Sequence, residues 1–181
     1  VSFPIYMDAN AMLLQTDFIG PLVRLKYFGP DFMVNSVTCL DLFLGKQIGG
    51  LGVVQNAGII LGGIYLIAKG IIRLEIVISF IAGVLLLGGI LNICSAELYV
   101  NPFYHLLTGS TLFCAFFLAT ECASAPDRAI GMFLYGLMGG MLVVTIRTFG
   151  VYTDGAPFAV MLINLLSPYF AMIQPKPFGV K

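Results

Sequence analysis

The sequence predicts an all-α transmembrane protein with about five membrane-spanning helices. Its 181 residues are 59% hydrophobic and 10% charged, whereas a soluble domain usually carries about 25% charged residues. Charged residues are absent from five successive stretches of roughly 18 to 23 residues, close to the ~20 residues with which a helix crosses a hydrocarbon core. These stretches lack the alternation of a membrane β-barrel, and backbone groups in lipid must pair within a helix.

Residues 1–46 precede the first predicted span and differ from the rest. Residues 1–14 are apolar but contain Pro4 and Asp8, so they are too short to cross a membrane unaided. We expect them to be the end of a helix that begins in preceding sequence, because the chain starts at Val1 without the features of a signal peptide. Residues 17–46 mix charges with aromatic and aliphatic side chains, which predicts an interfacial segment packed against the bundle.

Residues 47–176 form the predicted transmembrane domain, and residues 177–181 form a cytoplasmic tail. The predicted spans are 48–68, 75–95, 103–121, 129–147 and 156–174. Two pairs of glycines spaced four apart, Gly58/Gly62 and Gly136/Gly140, match the small-xxx-small pattern of close helix packing.

The basic residues of the short connections predict the orientation. One side carries Lys69, Arg73, Arg128, Lys176 and Lys181, whereas Arg147 is the basic residue of the opposite short loops. Basic residues favour the cytoplasmic side. The C-terminus is therefore expected inside, and the segment that contains Thr38 outside.

A hydroxyl-rich turn interrupts the apolar third span. It contains Thr108, Ser110 and Thr111, and Glu121 lies at the far end. Such hydroxyls can bond to carbonyls of their own helix. Alternatively they line a cavity for a ligand or an ion, because polar groups at membrane depth usually face the bundle interior. Both interpretations stay open.

Arg147 and Asp154 bracket the loop after the fourth span. They can anchor a helix end at the interface, or Arg147 can bind an anionic group. His105 could relay protons, but we expect it to bond to a loop carbonyl.

Several classes of function are not supported. The four cysteines and one histidine lack metal-ligand spacing, so no metal site is expected from this chain alone. No P-loop, dinucleotide-binding or Ser-His-Asp pattern occurs. The nine basic and nine acidic residues balance, so no nucleic-acid partner is expected.

Three blocks of the sequence form a recognisable pattern. Residues 101–121 contain Asn-Pro-Phe-Tyr-His-Leu-Leu-Thr-Gly-Ser-Thr and then Ala-Phe-Phe-Leu-Ala-Thr-Glu. Residues 146–164 read Ile-Arg-Thr-Phe-Gly-x-Tyr-x-Asp-Gly-x-x-Phe-Ala-Val-x-Leu-x-Asn. The third block is Thr38-x-Leu40-Asp41-x-Phe43. These blocks resemble the RnfD/NqrB family of membrane redox subunits, RnfD more than NqrB, and the third is similar to the segment where these subunits carry flavin.

The resemblance implies one repeat, the C-terminal one, of a two-repeat fold similar to urea transporters. It implies FMN joined through its phosphate to Thr38 on the periplasmic side, and it leaves room for a second flavin. Thr108, Thr111 and Arg147 are the further cofactor-binding candidates, while Glu121 and Asp154 are candidates for an ion path.

At the level of the assembly, the resemblance implies one component of a larger complex rather than a complete enzyme. Its partners would be Rnf-type subunits A, B, C, E and G in a bacterial or archaeal inner membrane. The complex would transfer electrons between ferredoxin and NAD and translocate sodium ions or protons.

The residues before Thr38 depart from the family's approximate flavinylation pattern, Asp-x-x-Ser/Thr-x-Ala/Ser-Thr. Phe32 stands at the Asp position, Asn35 at the Ser/Thr position and Val37 at the small-residue position. Two alternatives therefore remain: a transporter or channel without redox chemistry, and a flavin-free scaffold subunit.

Overall fold

The computed structural model describes residues 20–28, 38–45, 49–50, 52–95, 98–121, 125–126 and 128–172. Within these ranges the chain is helical and has no strand, which confirms the predicted all-α class. In chain order the helices are α1 (Pro21–Phe28), α2 (Cys39–Leu44), α3 (Asn56–Ala68), α4 (Leu74–Cys94), α5 (Pro102–Leu107), α6 (Thr111–Phe113), α7 (Ala129–Phe149) and α8 (Ala156–Met172).

Among the described residues, α4 and α7 are the two helices that are long and apolar enough to cross a membrane. Each has 21 residues, which corresponds to about 30 Å, the thickness of a hydrocarbon core. Their bounds agree with the predicted spans 75–95 and 129–147 to within two residues.

Helices α3 and α8 are apolar but shorter, with 13 and 17 residues. They lie within the predicted spans 48–68 and 156–174, whose outer ends include residues outside the described ranges. A count of five spans, and a repeat relation to a second half, therefore stay predictions.

The uninterrupted helix predicted over 103–121 is wrong. After α5 the backbone of Thr108 is extended (ψ 147°), and Gly109 adopts a left-handed conformation with φ 62°. The chain then re-enters a helix at α6 and passes into a π-helical turn over Cys114–Leu118. Glycine makes the break inexpensive, because it has no Cβ to oppose a positive φ.

The largest helix–helix interface joins α4 to α7, and glycines bring the two backbones together. A Cβ atom on Gly83 would lie 2.3 Å from the carbonyl oxygen of Leu137, and one on Gly140 would lie 2.1 Å from that of Phe80. The close packing predicted for Gly136 and Gly140 is confirmed.

The glycine pair on α3 behaves differently. A Cβ on Gly62 would make only ordinary contact, 3.9 Å from the Phe117 ring, whereas one on Gly63 would overlap the Phe116 ring at 2.2 Å. The close approach therefore lies one residue beyond the predicted pair, where α3 meets the π turn.

Candidate functional site

The break between α5 and α6 is held by one arginine from the end of α7. Arg147 Nη1 donates to the carbonyl oxygen of His105 at 2.6 Å. Arg147 Nη2 donates to the carbonyl oxygen of Thr108 at 3.0 Å and to Asp154 Oδ1 at 2.9 Å. The guanidinium therefore pairs with carbonyls that the interrupted helix leaves without amide partners.

Asp154, from the loop before α8, accepts the hydrogen bonds that the other side of the break offers. Its Oδ2 accepts from the Ser110 amide at 2.9 Å and from the Ser110 hydroxyl at 2.6 Å. A cation thus faces the carbonyl end of α5 and an anion faces the amide end of α6. Both charges have the sign that a helix terminus favours.

The ionised form of Asp154 is favoured by these contacts. Burial by itself would raise the pKa of this carboxyl, but the charge of Arg147 and the hydrogen bonds from Ser110 and Arg147 outweigh it. The net result is a pKa below the ordinary value. The site therefore contains a charged pair at neutral pH.

The hydroxyls of the predicted turn bond to nearby carbonyls. Thr108 Oγ1 donates to the carbonyl oxygen of Tyr104 at 2.5 Å, and Thr111 Oγ1 approaches those of His105 and Thr108 at 3.0 and 3.2 Å. Both threonines are fully buried. These hydrogen bonds stabilise the break. A role of Thr108 and Thr111 in cofactor binding stays a prediction.

A cavity of about 400 Å³ adjoins the Arg147 end of this network. Buried His105 and Arg147 contribute to its wall, and among the described residues His105 Nδ1 and Arg147 Nε have no hydrogen-bond partner. The lining residues are Leu22, Leu25, Lys26, Leu98, Tyr99, Val100, His105, Arg147, Thr148, Phe149 and Thr153.

A second cavity of about 210 Å³ adjoins the other face of the break. Gly109, Thr153 and Asp154 line it together with residues of α1 and of the loop before α3. Neither Thr108 nor Thr111 lines either of these two cavities.

Thr38 lies at the N-terminal boundary of α2. It is exposed, and its side chain makes no capping hydrogen bond to the helix. Helix α2 packs through Leu42 against Val100 and Tyr104, with Leu25 beside them. Because Leu25 and Val100 also line the larger cavity, Thr38 begins a helix that packs against that cavity's wall.

The structure does not bring the two ion-path candidates together. Glu121 is exposed after the π turn. It follows Ser110, the partner of Asp154, by eleven residues, and the chain passes through α6 and the π turn between the two.

Two polar residues at this site had no assigned role in the sequence prediction. Asn56 Nδ2 donates to the carbonyl oxygens of Leu42 at 2.8 Å and Leu107 at 2.6 Å, and so ties α3 to α2 and α5. Asn56 is an isolated amide in an apolar predicted span. Polar groups at membrane depth usually face the bundle interior, so the argument used for Thr108, Ser110 and Thr111 could also have identified Asn56.

Lys26 is the second such residue. Its Nζ donates to the carbonyl oxygens of Gly150 and Val151 at 2.5 and 2.6 Å, and it thereby holds α1 against the end of α7. No pattern in the sequence pairs two segments that are more than 120 residues apart in the chain.

Across the described residues, no group of three or more His, Cys, Asp or Glu side chains is placed to hold a metal ion. Of the cysteines there, Cys114 is buried, whereas Cys39 is partly exposed and Cys94 is exposed. Cys122 lies outside the described residues.

Comparison with known proteins gives one family and several relatives. The sequence model described as "NQR2, RnfD, RnfE family" matches residues 1–179. A protein of Aliivibrio salmonicida, named as the D subunit of an ion-translocating oxidoreductase complex, is 33% identical over 179 residues, which cover 97% of this chain and 49% of the relative. A protein of the same name from Pectobacterium carotovorum is 35% identical over 127 residues, 68% of this chain and 36% of the relative.

A third relative carries a more specific name. This protein of Acetobacterium woodii, named as the D subunit of a Na(+)-translocating ferredoxin:NAD(+) oxidoreductase complex, is 30% identical over 171 residues, 92% of this chain and 51% of the relative. The chain spans about half the length, or less, of these curated relatives.

Proposed function

The chain belongs to the NQR2, RnfD, RnfE family, and from this premise we propose that it forms a membrane part of the D subunit in an ion-translocating oxidoreductase complex. The family match over residues 1–179 is the observation that carries the proposal. It confirms the resemblance drawn from residues 101–121 and 146–164. The chain would work as one component among several, because its relatives are named as subunits of complexes.

The complex would couple electron transfer between ferredoxin and NAD to the movement of sodium ions or protons. The Acetobacterium woodii relative is named for sodium translocation with ferredoxin and NAD. A membrane location agrees with α4 and α7, which are the two helices of membrane length in the part of the chain that the structure describes. We place the chain in a bacterial or archaeal inner membrane, with Thr38 outside and the C-terminus inside.

We assign Thr38 as the residue that holds FMN through a phosphate ester. Its exposed hydroxyl, which is not used to cap α2, fits that attachment. Bound FMN would supply one- and two-electron redox chemistry, while the protein contributes position and electrostatic environment. Helix α2 would position Thr38, since Leu42 anchors the helix in the cluster of Val100 and Tyr104.

The Arg147–Asp154 pair supports a role of this region in ion movement. A helix that is interrupted within the bundle and has charged groups at both new ends is typical of ion and substrate sites in transporters. We propose Asp154 on the outer side of the broken segment, and Glu121 beyond its inner end, as polar positions on the path. Arg147 keeps the Asp154 carboxylate ionised and fixes the orientation of that side chain.

The same broken segment favours one alternative, an ion or solute transporter without flavin. The departures at Phe32, Asn35 and Val37 agree with that alternative, because they alter the signal by which flavin would be attached. A flavin measurement therefore decides between the two functions.

The experiment compares the wild-type chain with Thr38→Ala, each expressed with its flavinylating machinery, by intact mass and by in-gel flavin fluorescence after denaturation. We expect one FMN on the wild type and none on the variant. Thr145→Ala is the matched control, because Thr145 is an exposed threonine on α7. Its flavin content should equal that of the wild type.

The other outcomes separate the alternatives. Flavin that persists in Thr38→Ala excludes Thr38 as the attachment site. A flavin-free wild-type chain that conducts ions in liposomes supports the transporter. A flavin-free chain that conducts no ions supports the scaffold subunit.

A further inference from the structure

The larger cavity combines a polar inner wall with an apolar mouth. The inner wall contains His105 and Arg147, residues that are only 4% and 6% exposed. At the mouth, Leu98 is 71% exposed and Phe149 is 69% exposed. A volume of about 400 Å³ lies within the usual range of ligand sites, roughly 300–1,000 Å³.

His105 and Arg147, two of the lining residues, each carry one buried nitrogen whose hydrogen-bonding capacity the described residues leave unused. The Nη atoms of Arg147 are occupied by His105, Thr108 and Asp154, whereas Nε has no partner. Nδ1 of His105 likewise has none. A buried polar group without a partner is destabilising, so a ligand that accepts hydrogen bonds from both nitrogens would remove that penalty.

The charges that line the cavity favour an anion. Lys26 and Arg147 are both among its lining residues, and no acidic residue is, within the part of the chain that the structure describes. Asp154 neutralises Arg147 from the side of the second cavity. Lys26 is bound to backbone carbonyls, which leave its positive charge uncompensated.

We propose that this cavity binds the phosphate group of a membrane phospholipid. Arg147 Nε and His105 Nδ1 would donate hydrogen bonds to phosphate oxygens, and Lys26 would add its charge. In either charge state an imidazole can carry a proton on Nδ1.

The apolar mouth identifies a lipid rather than a dissolved anion as the source of the phosphate. Leu98 and Phe149 lie at the end of a membrane-length helix or in the loop beside it, where they can contact the acyl chains of the same molecule. On the cytoplasmic side of membranes, basic pockets between helices bind lipid head groups, and the same contacts between a cation and a phosphate are available at the outer side. Free phosphate would leave these exposed side chains without a partner.

The test measures the affinity of the full chain, purified in detergent and stripped of lipid, for three probes by native mass spectrometry. The probes are dihexanoylphosphatidylglycerol, the matching dihexanoylglycerol without phosphate, and inorganic phosphate. We expect one saturable site for the phospholipid and much weaker binding of the other two.

Two variants locate the site. Lys26→Gln should weaken phospholipid binding about fivefold, the effect of one basic side chain near a lipid surface. Leu98→Trp should abolish it by filling the mouth without a change of charge. Lys69→Gln is the control, because Lys69 is an exposed lysine beyond the C-terminal end of α3, and it should bind like the wild type.

Equal binding by wild type, Lys26→Gln and Leu98→Trp would overturn the proposal. Equal binding of inorganic phosphate and phospholipid would overturn the lipid assignment. Loss of a bound flavin from Leu98→Trp, with phospholipid binding unchanged, would give the cavity a different occupant and would also overturn it.

Discussion

Arg147 shows at the scale of a single residue why sequence reasoning found the right side chain but only part of its role. The sequence predicted that Arg147 could bind an anion, and the structure supplies one from the chain itself, Asp154, at 2.9 Å. The arginine also holds the carbonyls of His105 and Thr108. These carbonyl contacts depend on a helix break that hydropathy does not reveal.

Protonation of Asp154 should destabilise the protein in acid. The carboxyl has a lowered pKa in the folded state, so its contribution is fully present above the ordinary carboxyl value of about 3.9. It is lost as the pH falls through the lower folded-state pKa. We expect the stability difference between wild type and Asp154→Asn to be constant near neutral pH and to shrink below about pH 4.

The measurement is urea unfolding of both proteins in detergent, followed by circular dichroism at a series of pH values. Thr145→Ala is the control, because the exposed Thr145 donates its hydroxyl to the backbone carbonyl oxygen of Met141, which does not titrate, and its difference from wild type should not depend on pH. A stability difference for Asp154→Asn that grows in acid would contradict the assigned direction of the pKa shift.

At the scale of elements, the break between α5 and α6 was the largest difference from prediction. Absence of charge over 103–121 correctly indicated an apolar segment, but hydropathy averages over about 20 residues and cannot locate a single left-handed glycine. The hydroxyls around Gly109 were recognised as unusual. Their role became clear only with Arg147 and Asp154, which come from distant positions in the chain.

Gly109→Ala should lower the stability of the protein by more than the cost of placing alanine at a positive φ. A Cβ there would lie 2.5 Å from Leu22 Cδ1 and 2.8 Å from Arg147 Nη2. Gly70→Ala is the matched control, because Gly70 also has a positive φ, 71°, but no atom within 4 Å of the added Cβ. Each variant should lose about 1–2 kcal/mol from the left-handed backbone, and Gly109→Ala a further 1–3 kcal/mol or so from overpacking.

Chemical unfolding of the two variants measures this difference. Equal losses of stability would show that the contacts of the break relax around the added methyl group. A larger loss for Gly70→Ala would contradict the packing described for Gly109.

The interface between α4 and α7 should be equally sensitive to one methyl group. Gly83→Ala places a Cβ 2.3 Å from the carbonyl oxygen of Leu137, whereas Gly89→Ala, on the same helix, meets nothing within 4 Å. We expect Gly83→Ala to lower the unfolding free energy by about 1–3 kcal/mol. Gly89→Ala should be neutral or slightly stabilising, since alanine favours helix.

Thermal unfolding with circular dichroism tests this pair. A similar effect of the two variants would mean that helix propensity, not backbone approach, governs these positions. It would also remove the physical basis for the small-residue pattern at Gly136 and Gly140.

At the scale of the whole molecule, the spacing of charges predicted the helical class and the bounds of α4 and α7. It succeeded there because a charge in the hydrocarbon core is costly, so a stretch of about 20 residues without charge can be recognised from its own sequence. Prediction of the packing failed at Gly62 for the opposite reason, since the close approach at Gly63 depends on where Phe116 projects from the π turn.

The proposed orientation can be tested by the reactivity of the cysteines, because it places Cys94 and Cys122 on opposite sides of the membrane. Cys94 is exposed at the end of α4, on the side predicted to be external, whereas Cys122 follows a span predicted to end inside. In intact cells an impermeant maleimide should label Cys94 and spare Cys122, and it should reach Cys122 after the cells are opened. Buried Cys114 should react in neither case.

Peptide mass spectrometry of the labelled protein gives the result, with denatured protein as the control for full reactivity. Labelling of Cys122 in intact cells, with Cys94 protected, would reverse the orientation and place Thr38 inside.

The π turn over Cys114–Leu118 gives this segment a tolerance for chain length that a regular helix lacks. A π turn contains one residue more than an α-helix of the same rise. Loss of one residue there would let the segment close as an ordinary α-helix, and Thr111 and Thr120 would keep nearly the same relative orientation. Loss of one residue from a regular helix such as α7 would instead turn its two ends relative to each other by about 100°. The π turn is therefore the part of this interrupted span where a single deletion changes the geometry least.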